Sequence, residues 1–197
     1  MKDDKSNGGR VRSWTFVLYE DSAPENWRQL LDDLHIEWIE SPLHDRDMNA
    51  DGEQKKPHRH IALLFGGVKS YDQVKELTDF LHCPIPQRCH NAKALVRYMA
   101  HLDNPDKAQY SVNDIKGHGG ADVAEMLRPS SSERYSIIRD MITYVKDNNI
   151  TEYQDLVDYA ATQEFDSWFP LLCDSCSYVI GQYIKSQRHR NNINNEV

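Results

Sequence analysis

Two histidines separated by one residue carry the strongest chemical signal in the sequence. His58 and His60 lie in the segment PHRHIALLF, whose apolar residues predict a β-strand over residues 57–65. Side chains at positions i and i+2 of a strand leave the same face, about 7 Å apart at about 3.3 Å per residue. The two imidazoles could therefore bind one metal ion, although an isolated pair of this kind is more often without a metal.

A second group of possible ligands precedes this strand, in the segment SPLHDRD. His44 and Asp47 follow a short strand predicted at residues 36–40. Because the end of that strand lies beside the start of the next one, we expect His44 to approach the histidine pair. Asp47 would add an oxygen ligand, and Asp45 is an alternative for that role. Imidazole and carboxylate ligands with open positions suit Mn²⁺ or Mg²⁺ better than a closed zinc site. A solvated polar loop is the alternative interpretation of this segment.

Tyr98, on a helix predicted from Asn91 to about Leu102, is the candidate nucleophile. A phenol ordinarily loses its proton only near about pH 10, so attack on a phosphate needs a metal that neutralises the developing charge. The product would be a covalent phosphotyrosine, which stores the bond energy for rejoining. His101 lies three residues further along the helix and could assist proton transfer or contact phosphate. A core aromatic is the commoner role of a helix tyrosine.

The spacing of apolar residues predicts the elements that would position these side chains. Strands are predicted at residues 11–19, 36–40, 57–65 and 84–89, and helices at residues 25–34, 70–81 and 91–102. Ser70 is the predicted N-cap of the second helix. The order β-α-β-β-α-β-α is that of a ferredoxin-like α+β fold, with an antiparallel sheet and helices on one side. Residues 103–132 are rich in turn-forming residues and predict irregular structure.

The pattern becomes helical beyond residue 129, which predicts a domain boundary there. We expect a flexible tail over residues 1–10, a catalytic domain over 11–129, a small helical domain over 130–190 and a second tail over 191–197. Ser132 begins the first helix of the second domain, and Thr151 with Gln154 predicts a capping box for the next. The final helix is predicted at residues 175–187.

Composition limits the classes of function that the chain can have. The formal net charge is −8, so binding of nucleic acid must rest on a local site rather than on a basic surface. Lys55, Lys56 and Arg59 provide a local group of cations beside the histidine pair. The chain has no apolar run long enough to span a membrane and no signal-peptide core, so we expect a cytoplasmic protein without a membrane partner. Its four cysteines do not indicate a disulfide framework.

The segments SPLHDRD, KKPHRHIALLF and VRYMAHLDNPDKAQY resemble, in this order, the three motifs of the HUH endonucleases. They are most similar to the RepB-type plasmid rolling-circle replication initiators, over about residues 11–117. One position departs from the family pattern, because Arg59 stands where the central residue of the histidine motif is usually apolar. The resemblance implies a tyrosine nucleophile, Tyr98, and a set of divalent-metal ligands: His44, Asp47, His58 and His60.

The resemblance also implies a function. Such an enzyme binds repeats in duplex DNA at the plasmid double-strand origin and nicks the exposed single strand of a hairpin loop. It keeps the 5′ phosphate on tyrosine, leaves a 3′ hydroxyl for polymerase and later ends the round by strand transfer. The C-terminal helices are consistent with an oligomerisation domain, and the homo-oligomer of the family is often a hexamer. Candidate DNA contacts, chosen by position and charge, are Lys55, Lys56, Arg59, Arg88, Lys93, Arg97 and His101.

Three other functions remain open at this point. A conjugative relaxase or a single-tyrosine transposase would use the same chemistry, but relaxases are usually longer and transposases shorter. A non-catalytic origin-binding regulator on a ferredoxin-like scaffold would need neither Tyr98 nor a metal. A metal hydrolase that uses water as nucleophile would keep its activity after Tyr98→Phe.

Overall fold

The border between two structural units lies between Arg128 and Pro129. The computed structural model describes residues 9–165 and 167–195. The first unit contains a β-sheet with helices, and the second is helical. Residues 1–8 of the predicted N-terminal tail lie outside the described residues. Gly9 and Arg10, the rest of that tail, have no regular structure.

The sheet of the first unit has five strands in the order β4-β1-β3-β2-β5, and every neighbouring pair is antiparallel. The α+β class and the ferredoxin-like connection of the first four strands are therefore as predicted. The fifth strand is an addition that the sequence did not indicate. The strands are β1 (Val11–Leu18), β2 (Glu37–Glu40), β3 (Arg59–Lys69), β4 (Gln87–Arg88) and β5 (Lys116–His118).

The helices of this unit begin at side-chain caps that are visible in the sequence. Ser70 forms a capping box with Gln73 at the start of α2, and the Asn91 side chain accepts a hydrogen bond from the N–H of Ala94 at the start of α3. α3 is shorter than predicted, because His101 adopts a left-handed conformation with a φ of 58°. The helices are α1 (Trp27–Asp32), α2 (Tyr71–Phe80), α3 (Ala92–Met99) and α4 (Val123–Leu127), with a 3₁₀ turn at Val112–Asp114.

Helices cover both faces of the sheet, so the expectation that they lie on one side is wrong. The first face carries alternate large residues of β1, β2 and β3, which pack against α1 and α2. On the second face, Ile39 and Ala62 are buried against Val96 and Met99 of α3, with residues of α4 at the edge. Because the central strands have apolar residues on both faces, each face must be covered. The candidate histidines lie on the second face, beneath α3.

β5 lies in the region that was predicted to be irregular. β5 pairs with β2, and the ring of His118 stacks on the ring of Trp38 with centroids 3.7 Å apart. Gly119 follows with a φ of 61°, and a Cβ atom there would lie 2.1 Å from the carbonyl oxygen of Ile36. The close approach of the chain to β2 therefore requires glycine at this position.

The second unit packs its helices around one apolar core, which contains Met141, Leu156 and Ile180. Ser130 forms a capping box with Glu133, two residues before the predicted start. The capping box predicted at Thr151 is wrong, because the residue at the helix start is Glu152 and it makes no side-chain cap. The helices are α5 (Ser131–Asp147), α6 (Tyr153–Gln163), α7 (Trp168–Leu171) and α8 (Ser177–Asn195), with a π-helical turn at Leu172–Cys176 before α8.

α8 continues beyond the predicted helix end at residue 187 and includes residues 191–195 of the predicted tail. The last two residues of that tail, 196 and 197, lie outside the described residues. No helix in the described part of the chain is long and apolar enough to cross a membrane.

Candidate active site

The pairing of β2 with β3 continues beyond both strands and brings three histidines together. The N–H of His44 donates to the carbonyl of His58 at 2.8 Å, and the N–H of His58 donates to the carbonyl of His44 at 3.2 Å. The carbonyl of His60 accepts from the N–H of Ser41 at 2.9 Å. The ring centroids of His44, His58 and His60 lie 4.9–5.3 Å from one another. Backbone pairing alone therefore assembles the three imidazoles.

Three histidine rings of the site contact backbone carbonyl oxygens. Because a carbonyl can only accept, the contacting ring nitrogen carries the proton and the other nitrogen presents a lone pair. This is how ligating histidines are oriented in metalloproteins. The contacts join His44 Nε2 to Met99 at 2.8 Å, His58 Nδ1 to Lys56 at 2.9 Å and His101 Nδ1 to Ala108 at 2.7 Å.

Several of the remaining ring nitrogens are buried without a hydrogen-bond partner among the described residues. They are His44 Nδ1, His60 Nε2 and His101 Nε2. A buried polar atom without a partner is costly, so a group of such atoms in one place indicates a ligand that satisfies them. Two sets of ligand atoms lie within 4.8 Å of one another: His44, His58 and His60, and His44, Asp47 and His101.

Asp47 supplies the carboxylate of the site. Its Oδ2 atom lies 3.4 Å from His44 Nδ1 and 4.0 Å from His58 Nε2, and its side chain is only 6% exposed. Asp45 is 54% exposed and lies near Arg46 instead. The structure therefore brings Asp47, and not Asp45, to the histidines.

Tyr110 holds Asp47 in position. Its hydroxyl donates to Asp47 Oδ1 at 3.1 Å and accepts from the backbone N–H of Arg46 at 3.0 Å. The Tyr110 ring stacks on the ring of His44, with centroids 4.2 Å apart and an angle of 3° between the planes. A single side chain thus orients both a carboxylate and an imidazole of the site. Tyr110 is the last residue of the segment VRYMAHLDNPDKAQY, and the sequence alone indicates no role for it.

The protonation states of these groups suit metal binding. Burial, together with the neighbouring His44 and His58, lowers the pKa of His60 to about 3. Burial also lowers the pKa of His44, although a backbone carbonyl and Asp47 oppose it. Burial opposes ionisation of Asp47, but His44, Tyr110 and other neighbours outweigh it and hold the pKa of the carboxyl below its usual value. Neutral imidazoles beside an ionised carboxylate are the forms that bind a divalent cation, so these residues fit one.

His101 belongs to this buried group and not to the protein surface. Its side chain is fully buried, and its Nδ1 atom lies 3.8 Å from Asp47 Oδ1. The expectation that His101 contacts DNA phosphate does not agree with this position, because the left-handed turn after α3 directs its ring inwards.

Tyr98 lies beside the histidines, at a cavity of about 420 Å³. Its ring centroid is 5.4 Å from that of His60 and 5.1 Å from that of His101. The Tyr98 hydroxyl accepts a hydrogen bond from Lys107 Nζ at 3.0 Å. Asp47, His58 and His60 line the same cavity, together with Tyr19, Lys55 and Lys56. The candidate nucleophile, three of the four candidate metal ligands and two cations therefore line one open cavity.

Five of the other candidate DNA contacts form hydrogen bonds or ion pairs within the chain. Arg59 donates to Glu20 at 2.7 Å and to the carbonyl of Ser41 at 2.8 Å, and Lys56 pairs with Asp21 at 2.9 Å. The remaining three also have partners, which are Gly9 for Arg88, Glu125 for Lys93 and Asp103 for Arg97. Among the predicted cations, the structure thus brings only Lys55 and Lys56 to the cavity.

The sheet unit and the helical unit each match the model of a known protein family. The family model for the origin binding domain of a plasmid replication protein matches residues 6–124, which places the sheet unit in that class. The model for the C-terminal region of replication protein RepB matches residues 131–189. The chain therefore belongs to the RepB family of plasmid replication proteins.

Replication proteins from three bacteria are similar to this chain over most of their length. A replication protein of Staphylococcus aureus is 46% identical over 95% of this chain and 94% of the relative. Replication protein RepB of Lactiplantibacillus plantarum is 40% identical over 90% of this chain and 81% of the relative. Replication protein RepB of Streptococcus agalactiae is 24% identical over 76% of each chain.

Proposed function

We propose that this protein initiates rolling-circle replication by nicking one strand at the plasmid double-strand origin and joining the 5′ phosphate to Tyr98. One observation carries the proposal: Tyr98 lines the same cavity as Asp47, His58 and His60, three members of the possible metal-ligand groups. Membership of the RepB family supplies the DNA partner. The cavity has room for a phosphate and parts of its neighbouring nucleotides, so the proposed substrate is single-stranded DNA extruded at the origin.

His44, Asp47, His58 and His60 would hold a divalent cation. When bound, it would polarise the scissile phosphate and neutralise the charge that develops there. We favour Mn²⁺ over Mg²⁺, because imidazole nitrogens outnumber the single carboxylate, whereas Mg²⁺ prefers oxygen ligands. Side chains of the site would carry out the other steps. Tyr98 would form the bond to phosphorus, and Lys55 and Lys56 would attract the phosphates on either side of the scissile phosphate.

The acidic character of the chain fits a local mode of binding. With a net charge of −8, the protein gains little from non-specific contact with duplex DNA, and Lys55 and Lys56 concentrate positive potential at the cavity. We propose that specificity and affinity come from several copies acting together, since linked sites raise each other's effective concentration.

The helical unit would provide this oligomer, in a ring of up to six copies in the cytoplasm. Several large side chains of its helices are exposed, among them Tyr135 at 72%, Tyr178 at 77% and Val179 at 54%. Exposed apolar residues of this size are typical of contacts between protein chains. Sedimentation of the full chain over a range of concentrations would measure the number of copies, and a monomer at all of them would contradict this part of the proposal.

A cleavage assay on a denaturing gel tests the proposed activity. The substrate is a labelled single-stranded oligonucleotide carrying the origin of the plasmid that encodes the protein, with Mn²⁺ or with EDTA. We expect the wild type to produce a nick and a protein-linked DNA band with Mn²⁺ only. Tyr98→Phe should abolish both while retaining Mn²⁺ binding, and the matched control Tyr71→Phe, a tyrosine of α2 on the opposite face of the sheet, should behave as wild type.

Each alternative result has a distinct meaning. Cleavage without a protein-linked band, retained by Tyr98→Phe, would indicate water as nucleophile. Specific origin binding by a wild type that never cleaves would indicate a non-catalytic regulator. Cleavage in EDTA would remove the metal from the proposal but leave the tyrosine in it.

A further inference from the structure

We propose that Lys107 is a second catalytic residue, which stabilises the negative charge on the Tyr98 oxygen while its bond to phosphorus forms and breaks. This inference rests on the proposed tyrosine chemistry. Lys107 lies nine positions beyond Tyr98 in the same segment, VRYMAHLDNPDKAQY, and its residue type alone indicates no role.

The contact between the two side chains is direct. Lys107 Nζ lies 3.0 Å from the Tyr98 hydroxyl and 4.5 Å from the centroid of its ring. An ammonium group can only donate, so the phenol oxygen accepts this hydrogen bond. The proton of the phenol itself remains free to leave, and a lone pair of the oxygen remains available for attack.

The charge of Lys107 is not neutralised by the protein. Within the described residues Lys107 forms no ion pair, whereas Lys56 pairs with Asp21 and Lys93 pairs with Glu125. A positive charge without a carboxylate partner can respond fully to negative charge that appears on the nearby oxygen. Its position beside a reacting atom is therefore suited to catalysis rather than to holding the fold together.

The loop that carries Lys107 is fixed by hydrogen bonds, although the lysine side chain is exposed. The Gln109 side-chain amide lies 3.3, 3.0 and 3.1 Å from the carbonyl oxygens of His101, Asn104 and Lys107. The N–H of Lys107 donates to Asn104 at 3.0 Å, and the N–H of Asn104 donates to His101 at 2.8 Å. The backbone of Lys107 is thus held relative to the buried His101, so the ammonium is presented to Tyr98 with little loss of freedom.

The chemical step conserves atoms and charge. In cleavage, the phenol proton passes to solvent, the Tyr98 oxygen forms its bond to phosphorus, and the bond from phosphorus to the 3′ oxygen breaks. The 3′ oxygen leaves with the electron pair and takes up a proton from solvent. In strand transfer a 3′ hydroxyl loses its proton to solvent and attacks, and the electron pair of the broken bond returns to the Tyr98 oxygen. Lys107 remains an ammonium throughout and stabilises that oxygen in both directions.

The test compares Lys107→Met with the matched control Lys69→Met, which removes a lysine that also lies near an aromatic ring, 5.4 Å from Phe65. Single-turnover rates of cleavage and of rejoining are measured on the origin oligonucleotide, and Mn²⁺ affinity is measured by calorimetry. We expect Lys107→Met to slow both reactions by about 10- to 100-fold, less than the roughly 100- to 1000-fold cost of losing a buried transition-state donor, because Lys107 is exposed to solvent. Lys107→Arg should recover part of the rate, and Mn²⁺ affinity should stay within about twofold of wild type.

Equal rates for Lys107→Met and Lys69→Met in an active wild-type background would overturn the role of Lys107 alone. Loss of Mn²⁺ affinity in parallel with the rate would also overturn it, because the lysine would then be supporting the loop and the metal site. A wild type that forms no tyrosine-linked DNA would overturn the proposed function and this inference together.

Discussion

The substitution Tyr110→Phe, which removes one hydroxyl, tests how strongly a residue that contacts the candidate ligands Asp47 and His44 controls the proposed metal site. The substitution keeps the ring that stacks on His44 and deletes the oxygen between Asp47 and the N–H of Arg46. A hydrogen bond to a charged group contributes about 1.5–3 kcal/mol, and each 1.4 kcal/mol corresponds to about a tenfold change in affinity. We therefore expect Mn²⁺ affinity to fall roughly 10- to 100-fold, the usual loss when such a partner is removed.

The same substitution should change how affinity depends on pH. The Tyr110 hydroxyl is one of the groups that lower the pKa of Asp47, so its loss lets burial raise that pKa. Protons then compete with the metal at higher pH, and the deficit of the variant should be larger at pH about 5.5 than at pH about 7.5. Calorimetric titration with Mn²⁺ at both values measures it, with Tyr71→Phe of α2 as the control for loss of a tyrosine hydroxyl away from the site. A dissociation constant within about twofold of wild type at both pH values would refute the argument.

Two further predictions concern stability. Without metal, the lowered pKa of His60, about 3, means that the unfolded chain binds more protons than the folded one between pH 3 and the ordinary value of 6.5. Stability therefore decreases as the pH is lowered through that window. Urea unfolding in EDTA should show about 2–3 kcal/mol less stability at pH about 4.5 than at pH about 6.5, and His60→Gln should show much less of this fall. Gly119→Ala should destabilise the first unit by well over about 2 kcal/mol, because a left-handed conformation costs about 1–2 kcal/mol and the new Cβ would also collide with Ile36. Thermal or urea unfolding measures this.

Each of these predictions has a matched comparison. Identical pH dependence of wild type and His60→Gln would mean that His60 is not the source of the acid sensitivity. For the glycine, Gly120→Ala is the control, since Gly120 also has a positive φ but a Cβ there meets nothing within 4 Å. Equal losses for Gly119→Ala and Gly120→Ala would show that contact with β2 is unimportant.

The features that the sequence predicts are local. The apolar residues of β1 and β3 mark strands because their side chains fill both faces of the sheet, and Ser70 and Asn91 mark helix starts because their side chains bond to nearby N–H groups. The approach of His44 to His58 follows from chain order, since β2 and β3 are consecutive antiparallel strands. Such features need only a few neighbouring residues to be recognised.

The features that the sequence does not predict have no reliable pattern of residue types to mark them. β5 contains only Lys116, Gly117 and His118, a polar segment that becomes a strand because β2 offers an unpaired edge. The inward turn of His101 and the placement of Lys107 depend on hydrogen bonds within a loop, and no periodicity of residue types records them. Thr151 shows the opposite error, because a residue pattern typical of a capping box forms no cap in the structure.

The hydrogen bond from the His44 ring to the carbonyl of Met99 joins positions 55 residues apart in the chain. Met99 directly follows Tyr98, so one imidazole has a candidate ligand nitrogen on one side and the backbone of the helix that carries Tyr98 on the other. A rotation of this ring would move the end of α3 as well as the ligand nitrogen. The alignment of Tyr98 is therefore transmitted from the sheet through His44, and filling the metal position would also stiffen the support of the tyrosine.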